Sequence, residues 1–299
     1  MNSAIDVICI AKIQYFNIDL KGLNSLLLSR IYLLSPYFVL LLASLLPTLA
    51  IADQLDDVKK AGVLRVAVID QNPPFGLIDE KTNETVGYDV DFAKAFADKI
   101  GVKLQIVGTN PANRIPLLQS GKVDLIVGDL TNTEERAKVI DFSWSYFVSG
   151  QQFLVPASGS DKLADYAAKR IGAVKGTTGE NQVKVLFPKA RIVSYDDLPL
   201  GFAALRNGTV DAFTQDGSIL GPALALAPDK AKFKILPDLV SKELIGIGVK
   251  KGEKALLNLV NNALVELEAN GSAAKFYDKW FGSGAANPAP RVFKIEAGK

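Results

Sequence analysis

Short apolar runs alternate with amphipathic segments along most of the chain. Val63 to Ile69 is an apolar, β-rich run after Gly62, which is typical of a buried strand. Apolar side chains then recur at helical spacing through residues 92–100 and stop at Gly101. This pattern predicts a strand followed by a helix, which is the opening of an α/β layer.

The same alternation returns twice further along the chain. Predicted strands flank predicted helices at residues 102–107, 115–119 and 123–127, and again at residues 171–174, 201–206 and 210–213. Residues 244–249 form another predicted strand, which leads into a long helix at residues 253–270. Strands separated by helices indicate mostly parallel sheets with covered faces, so we expect an α/β fold.

Two segments of the chain echo each other. Residues 117–124 read LLQSGKVD and residues 204–211 read ALRNGTVD, each predicting a helix, a glycine turn and a strand. The two strands lead to Asp129 and to Asp216. Open α/β sheets bind ligands at the carboxyl ends of their strands, so two similar lobes facing each other would bring both acids to one site.

An uncharged apolar run covers residues 31–52 and ends in Leu-Pro-Thr-Leu-Ala-Ile-Ala. The small residues Ala50 and Ala52 predict a signal peptide over residues 1–52, cut after Ala52, and hence a periplasmic protein. The stretch before the run is long for a leader, so translation could start later. An uncleaved membrane anchor is the alternative, because about 20 apolar residues span a bilayer. Two prolines interrupt the run and favour cleavage.

The composition removes several kinds of chemistry. The 299 residues include no histidine, and the one cysteine, Cys9, lies in the predicted signal peptide. Catalytic triads with histidine, disulfides, thiol nucleophiles, metal sites and cofactors are therefore not expected. A formal net charge of +2 argues against a nucleic-acid partner. What remains is recognition of charge by arginine, aspartate, threonine and backbone amides, which suits a zwitterion.

Arg136 is the first candidate for such recognition. It ends the segment TNTEER at residues 131–136, where Thr133 can cap a helix whose first turn holds Arg136. Beside unpaired helix N–H groups, this guanidinium could hold a carboxylate in two hydrogen bonds. The alternative is a solvated helix charge that pairs with a neighbouring glutamate.

Three further positions could likewise either bind a ligand or have a purely structural role. The turn at residues 175–179, KGTTG, could cradle an anion with its amides, although it lacks a full phosphate-loop motif. Asp216 could cap the helix that starts at Ser218, or it could bind a ligand ammonium. Arg114 stands against the dipole at a predicted helix start, which suggests either an anionic ligand or a surface acid as its partner.

Six segments together resemble the bacterial extracellular solute-binding proteins, family 3, which serve polar amino acid ABC importers. They are GYDVDF at residues 87–92, GKVDL at 121–125, TNTEER at 131–136, IDFS at 140–143, KGTTG at 175–179 and KWF at 279–281. The resemblance covers residues 55–281 and implies the two-lobed type II periplasmic binding protein fold, with a ligand cleft between lobes joined by a two-strand hinge. We expect the first lobe at residues 53–149 plus 246–299, the second at 155–242, and hinge crossovers at 150–154 and 243–245.

The resemblance also implies how the ligand carboxylate is held. In proteins of that family, the residues matching Arg136 and Thr131 bind the α-carboxylate. The amides matching Thr178 and Gly179, in the turn that begins at Lys175, assist from the opposite lobe.

By the same resemblance, Asp216 and the backbone carbonyl of Asp129 hold the α-ammonium. Residues 113–119 look like the glutamate and aspartate binders, in which the arginine matching Arg114 contacts the side-chain carboxylate, so an acidic ligand is expected. Asn72 replaces an aromatic residue that often covers the ligand, and Asp129 replaces a small residue. An Asp129 side chain in the cleft would repel an acidic ligand and favour a polar or basic one.

The implied function is periplasmic capture of a polar, acidic amino acid and its delivery by hinge closure to the permease of an ABC importer in the inner membrane. We expect a monomer without enzymatic activity. One alternative is a binding protein for a neutral or basic amino acid. Another is an enzyme similar to the periplasmic cyclohexadienyl dehydratases, because fold does not fix function. A third is a sensor domain held by an uncut anchor.

Overall fold

The computed structural model describes residues 53–298 of the chain. The predicted signal peptide lies outside the described residues and stays a prediction. Within residues 53–298, no helix has both the length and the apolar character that crossing a bilayer requires.

Strands and helices alternate through the described residues. The strands are β1 Val63–Ile69, β2 Gln71–Asn72, β3 Gly76–Ile78, β4 Thr85–Val86, β5 Lys103–Thr109, β6 Leu125–Thr131, β7 Ile140–Phe142, β8 Phe147–Ser149, β9 Gln151–Pro156, β10 Arg170–Val174, β11 Arg191–Tyr195, β12 Ala212–Asp216, β13 Phe233–Ile235 and β14 Glu243–Lys250. The α-helices are α1 Gln54–Ala61, α2 Tyr88–Ile100, α3 Arg114–Gln119, α4 Glu134–Ala137, α5 Thr178–Leu186, α6 Leu198–Arg206, α7 Gly217–Leu226, α8 Lys254–Ala269 and α9 Ser272–Phe281. Short 3-10 turns occur at Leu163–Tyr166 and Lys230–Lys232.

Side-chain caps explain where several helices begin. Asp53, Thr177 and Asp197 each accept a hydrogen bond from a backbone amide in the first turn of α1, α5 and α6 respectively. Thr133 caps α4 in the same way, as the sequence predicts. The caps at Thr133 and Thr177 fix the two helix starts that border the candidate site.

The first sheet has six strands in the order β5-β1-β6-β14-β7, with β8 also paired to β14. β1 pairs in parallel with β5 and β6. β14 returns antiparallel along β6, β7 and β8. Helix α2 packs on β1, β5 and β6, and helices α8 and α9 pack on α2.

The second sheet has five strands in the order β11-β10-β12-β9-β13. β10 pairs in parallel with β11 and β12, and β9 pairs antiparallel with β12 and β13. Helices α5 and α6 pack on β10, β11 and β12. The strands that follow the two echo segments, β6 and β12, therefore occupy matching central places in the two sheets.

The prediction of mostly parallel sheets is wrong for about half of the pairing. In the two sheets, four strand pairs are parallel and five are antiparallel. Strands that alternate with helices are parallel, because each helix carries the chain back to the end from which the strand started. β9 and β14, by which the chain enters the other sheet, run against their neighbours and account for the difference.

Two of the segments that carry the family resemblance meet beside the first sheet. Trp280 Nε1 donates a hydrogen bond to Asp91 at 2.7 Å, and Lys279 forms an ion pair with the same carboxylate at 2.9 Å. The buried ring of Tyr88 lies 5.5 Å from the ring of Phe281. The start of α2 and the end of α9 are thus joined, although they are far apart in sequence.

Two chain crossings connect the two sheets. The chain leaves the first sheet at Gly150, between β8 and β9, and returns between β13 and β14. This is a two-lobed α/β architecture. The lobe boundaries expected from the sequence, with crossovers at residues 150–154 and 243–245, stay a prediction. β9 begins at Gln151 and pairs within the second sheet, and β14 begins at Glu243 and pairs within the first.

Candidate functional site

A small, partly enclosed cavity of about 10 Å³ lies between the two lobes. That is about the volume of one water molecule and is smaller than any amino acid. It is lined by residues of both lobes: Ile69, Asn72, Pro111, Arg114, Asp129, Thr131, Thr177, Thr178, Gln215 and Asp216. Six of the predicted site residues are in this lining. A larger open groove of about 810 Å³ beside β5 and α3 is lined by none of the predicted site residues.

Asp129 adopts an unusual backbone conformation at the cavity. Its φ of 46° lies in the left-handed region, which is uncommon for residues other than glycine and clusters at functional sites. The pairing of β6 with β14 shifts register here, between Gly246 and Gly248. The Asp129 amide donates to Asp89 Oδ2 at 3.2 Å, and its carbonyl accepts from Arg114 Nη1 at 2.9 Å. Two buried side chains therefore hold this bulge in place.

The carboxylate of Asp129 is incompletely satisfied. Oδ2 accepts a long hydrogen bond of 3.5 Å from Asn72 Nδ2. Oδ1 is buried and has no hydrogen-bond partner among residues 53–298. A buried carboxylate oxygen without a donor is costly, so its presence indicates a place for a cationic or hydrogen-bonding ligand group.

Asp216, at the end of β12 in the second lobe, also has an incompletely satisfied carboxylate. Its side chain is 3% exposed, Oδ1 accepts from Gln151 Nε2, and Oδ2 has no partner in the described part of the chain. Asp216 occupies the cap position of α7, yet its side chain makes no capping hydrogen bond to that helix within the described residues. The alternative capping role is therefore not seen, and the carboxylate borders the cavity instead.

The side-chain carboxyl groups of Asp129 and Asp216 both have raised pKa values. Burial raises the pKa of Asp129 to about 6; the charge of Arg114 opposes this shift, and the charge of Glu243 adds to it. Burial also raises the pKa of Asp216 well above its usual range, and the negative charges of Asp129 and Glu243 raise it further. An ammonium group placed between the two carboxylates would lower both pKa values.

Arg136 joins the two sides of the cleft. Nη1 donates to the Thr131 carbonyl at 2.9 Å, and Nη2 donates to the Gly176 carbonyl of the opposite lobe at 3.0 Å. Burial lowers the pKa of this guanidinium. The partners of the guanidinium are thus backbone carbonyls rather than the neighbouring glutamates of α4, which was the alternative at the sequence level.

Arg114 is 3% exposed and supports the Asp129 bulge. Nη1 donates to the carbonyls of Gly128 and Asp129 at 2.7 and 2.9 Å, whereas Nε is buried without a partner among the described residues. Burial, together with the positive charge of Arg136, lowers the Arg114 pKa to about 9. A contact between Arg114 and a ligand side chain stays a prediction.

The turn at residues 175–179 contributes unevenly to the site. Thr178 lines the cavity and Gly179 is buried within α5, but Lys175 is exposed and outside the lining. Gly176 has a φ of 78°, and a Cβ there would lie 2.8 Å from Ala112 Cα. This turn therefore packs closely against the segment that leads into α3.

Glu243 is a residue that the sequence reasoning missed. It is 2% exposed, and both Thr131 Oγ1 and Thr178 Oγ1 donate to its Oε2. A single acid at the start of an apolar strand gives no signal in sequence that distinguishes it from a solvated strand end. Gln215 also lines the cavity and was not predicted, and Thr177 lines it as a member of the predicted turn at residues 175–179.

Comparison with known proteins shows the family of this chain. The family model described as bacterial extracellular solute-binding proteins, family 3, matches residues 64–283. The ABC transporter glutamine-binding protein of Bacillus subtilis is 35% identical over 211 residues, which are 69% of this chain and 76% of that protein. The glutamate/aspartate import solute-binding protein of Escherichia coli is 30% identical over 253 residues, 81% of this chain and 82% of the relative.

Solved structures of amino acid-binding proteins superpose on this chain. A mutant of ArgBP from T. maritima superposes with a TM-score of 0.72 and 33% identity, covering 77% of this chain and 99% of that one. An ancestral amino acid-binding protein, described as a precursor of cyclohexadienyl dehydratase, gives a TM-score of 0.70 and 32% identity over 77% of this chain and all of that one. The fold is the two-lobed type II periplasmic binding protein fold, and the chain belongs to the bacterial extracellular solute-binding proteins, family 3.

Proposed function

We propose that this protein captures one free amino acid between its lobes and delivers it to the permease of an ABC importer. The observation that carries this proposal is the pairing of opposite charges around one interlobe cavity. Arg136 lies outside the cavity lining and bridges the lobes beside it, and the unsatisfied oxygens of Asp129 and Asp216 belong to residues of the lining. A zwitterion complements such a pair of sites.

Each end of the amino acid has a defined set of partners in this proposal. The α-carboxylate receives hydrogen bonds from the Arg136 guanidinium, the Thr131 hydroxyl and the first amides of α5, where the helix dipole favours an anion. The α-ammonium lies between Asp129 and Asp216. The cavity is smaller than an amino acid, so the lobes separate before the ligand enters and close around it afterwards.

The charge balance of the cleft bears on which side chain is accepted. The acids Asp129, Asp216 and Glu243 lie in or beside the cavity with the bases Arg114 and Arg136. Counted as formal charges, these are three acids against two bases, and Asp129 borders the cavity, which is the condition under which an acidic ligand is disfavoured. We therefore propose a neutral polar or basic amino acid in preference to the acidic ligand that residues 113–119 suggest.

The names of two relatives support a neutral polar or basic ligand, and the name of a third supports an acidic one. Relatives are named for binding glutamine and arginine, and a further relative is named for importing glutamate and aspartate. The buried Nε of Arg114, without a partner in the described residues, is the feature that would suit an acidic side chain. Calorimetric titration with glutamine, arginine and glutamate separates these cases, because our proposal requires glutamate to bind most weakly.

A second candidate function is catalysis by a dehydratase. The raised pKa of Asp129, about 6, would suit a proton donor, and a structural neighbour is described as a precursor of cyclohexadienyl dehydratase. Assaying the purified protein with prephenate and arogenate tests this candidate. Turnover without amino acid binding would replace the transport proposal.

The cellular setting completes the proposal. Export through the signal peptide at residues 1–52 places the protein in the periplasm, where it works as a monomer that meets the importer in the inner membrane. N-terminal sequencing of protein taken from cells tests the export step. A chain that begins near Asp53 agrees with cleavage, and a chain that retains residues 31–52 indicates an anchored protein.

A further inference from the structure

Glu243 occupies a special position in the fold. It is the first residue of β14, where the chain returns from the second sheet to the first. Its carboxylate is almost fully buried, with 2% exposure, which is rare for a glutamate unless its oxygens are well paired. The side chain therefore sits at the hinge and within reach of both lobes.

A single oxygen of Glu243 joins the two walls of the cleft. Oε2 accepts from Thr131 Oγ1, at the end of β6 in the first lobe, and from Thr178 Oγ1, at the start of α5 in the second lobe, at 2.7 Å for the latter. Oε1 accepts from Ser241 Oγ at 2.9 Å and from Gln182 Nε2 at 3.5 Å. The carboxylate is thus held by donors from both lobes.

The negative charge of Glu243 also acts on Arg136, the cationic anchor of the cleft. Burial lowers the pKa of Arg136, and the negative charge of Glu243 is the largest influence in the opposite direction. Arg136 itself bonds to the carbonyl of Thr131, whose hydroxyl bonds to Glu243. Thr131 and Thr178, which hold Glu243 through their hydroxyls, are also residues that the proposed function assigns to the ligand α-carboxylate, through the hydroxyl of Thr131 and the amide of Thr178.

The hydroxyls of Thr131 and Thr178 cannot serve two carboxylates at once. Each hydroxyl has one O–H to donate, and both donate to Glu243. Two like charges close together in a buried site also repel, so a ligand carboxylate and the Glu243 carboxylate would not share these donors. A ligand carboxylate can accept hydrogen bonds from these two hydroxyls only after Glu243 has stopped accepting them.

We propose that Glu243 is an internal competitor for the carboxylate subsite, which links the two lobes until an amino acid displaces it. This inference rests on the proposed function, since it needs a ligand carboxylate at Thr131 and Thr178. Glu243 thereby lowers the affinity for every amino acid by a similar factor, because the α-carboxylate is common to all of them.

Two other roles for Glu243 make different predictions. If Glu243 instead positioned the threonine hydroxyls for the ligand, its removal would weaken binding. If it contacted the ligand side chain, its removal would weaken binding of arginine and leave glutamine unchanged. Comparing these two amino acids on one variant therefore separates all three roles.

The experiment is calorimetric titration of the wild-type protein and of Glu243→Gln with L-arginine and L-glutamine. Glu266→Gln is the matched control, because it removes the same charge from a side chain that is 62% exposed and forms a surface ion pair with Lys99. For Glu243→Gln we expect the affinity for both amino acids to rise about tenfold, which corresponds to about 1.4 kcal/mol, with their ratio unchanged. The control keeps wild-type affinities. Weaker, unchanged or amino acid-specific binding by Glu243→Gln overturns the proposal.

A second readout does not depend on any ligand. Small-angle scattering of the stripped protein should give a larger radius of gyration for Glu243→Gln than for the wild type and for Glu266→Gln, because the link between the lobes is weakened. Equal radii overturn the proposal. If the wild-type protein binds no amino acid, the proposed function fails, and the scattering still decides whether Glu243 links the lobes. Should Glu243→Gln not fold, Glu243→Asp, which withdraws the carboxylate by one methylene, carries the same expectations.

Discussion

Arg136 reaches across the cleft to Gly176, donating from Nη2 to the carbonyl oxygen of Gly176 at 3.0 Å. This bond joins α4, at the end of the first-sheet strand β6, to the turn that follows β10 in the second sheet. In the proposed binding cycle the lobes separate before a carboxylate enters, which breaks this bond, but the bond from Nη1 to the Thr131 carbonyl lies within the first lobe and keeps the guanidinium in place. Preorganisation of this kind reduces the cost of binding.

Replacing Arg136 tests this anchor. Arg136→Ala removes a charged hydrogen-bond donor from the carboxylate subsite, so the affinity for the bound amino acid should fall by about 1.5–3 kcal/mol. Isothermal titration measures the change. Arg191→Ala, at an exposed position in β11, is the control and should bind like the wild type. Equal affinities for Arg136→Ala and wild type would contradict the assignment.

Gly176 allows a test of close packing between the lobes. An alanine at Gly176 would bring its Cβ within 2.8 Å of Ala112 Cα, at a φ of 78°. Gly208 has a similar φ of 71° with no atom within 4 Å of the added Cβ, so Gly208→Ala carries the backbone strain alone. Both variants should lose about 1–2 kcal/mol of stability in chemical denaturation. Only Gly176→Ala should also bind the amino acid more weakly, and equal affinities in the two variants would disprove the tight approach.

Amino acid binding should release protons near pH 6. The Asp129 pKa is about 6 in the folded protein, so its carboxyl is partly protonated at that pH. A ligand ammonium favours the ionised carboxylate and expels the proton. Titrations in two buffers of different ionisation enthalpy measure the release. Asp129→Asn should remove the part of the release that comes from Asp129 and leave the part that comes from Asp216, whose pKa is also raised. Net proton uptake by the wild type would exclude an ammonium at this position.

The same carboxyl makes the unliganded protein less stable as pH rises. The pKa of Asp129 is raised in the fold from 3.8 to about 6, so the folded protein binds the proton more tightly than the unfolded chain does. Its stabilising contribution is complete below pH 3.8 and is lost as pH rises through about 6. Asp129→Asn should therefore raise the free energy of unfolding at neutral pH by about 1–3 kcal/mol. Asparagine also tolerates the left-handed φ.

Denaturant unfolding at several pH values, compared with the exposed Asp238→Asn, checks this expectation. The control should follow the wild-type pH dependence. A loss of stability in Asp129→Asn at neutral pH would show that the ionised carboxylate has a partner that stabilises it.

The sequence predicts much of the fold and part of the site, for identifiable physical reasons. Local patterns place Asp129 and Asp216 near strand ends and Thr133 at a helix cap, because these positions depend on neighbouring residues. Sequence alone does not say which members of the 175–179 turn face the cleft, so Lys175 was included although it is exposed.

Glu243 could not be found in this way. Its contacts to Thr131 and Thr178 exist only because β14 returns to the first sheet and brings residue 243 beside two distant segments. The antiparallel course of β14 was also not predicted, since strand and helix periodicity carries no information on the direction of a strand that enters a sheet by a crossover.

Capture of an amino acid is tested most directly by calorimetric titration of the purified protein, stripped of carried-over ligand, with each proteinogenic amino acid in turn. We predict saturable binding with one site per chain for a neutral polar or basic amino acid, and weaker binding of glutamate and aspartate. Absence of binding to every one of them, under conditions in which the protein is folded, would contradict the account.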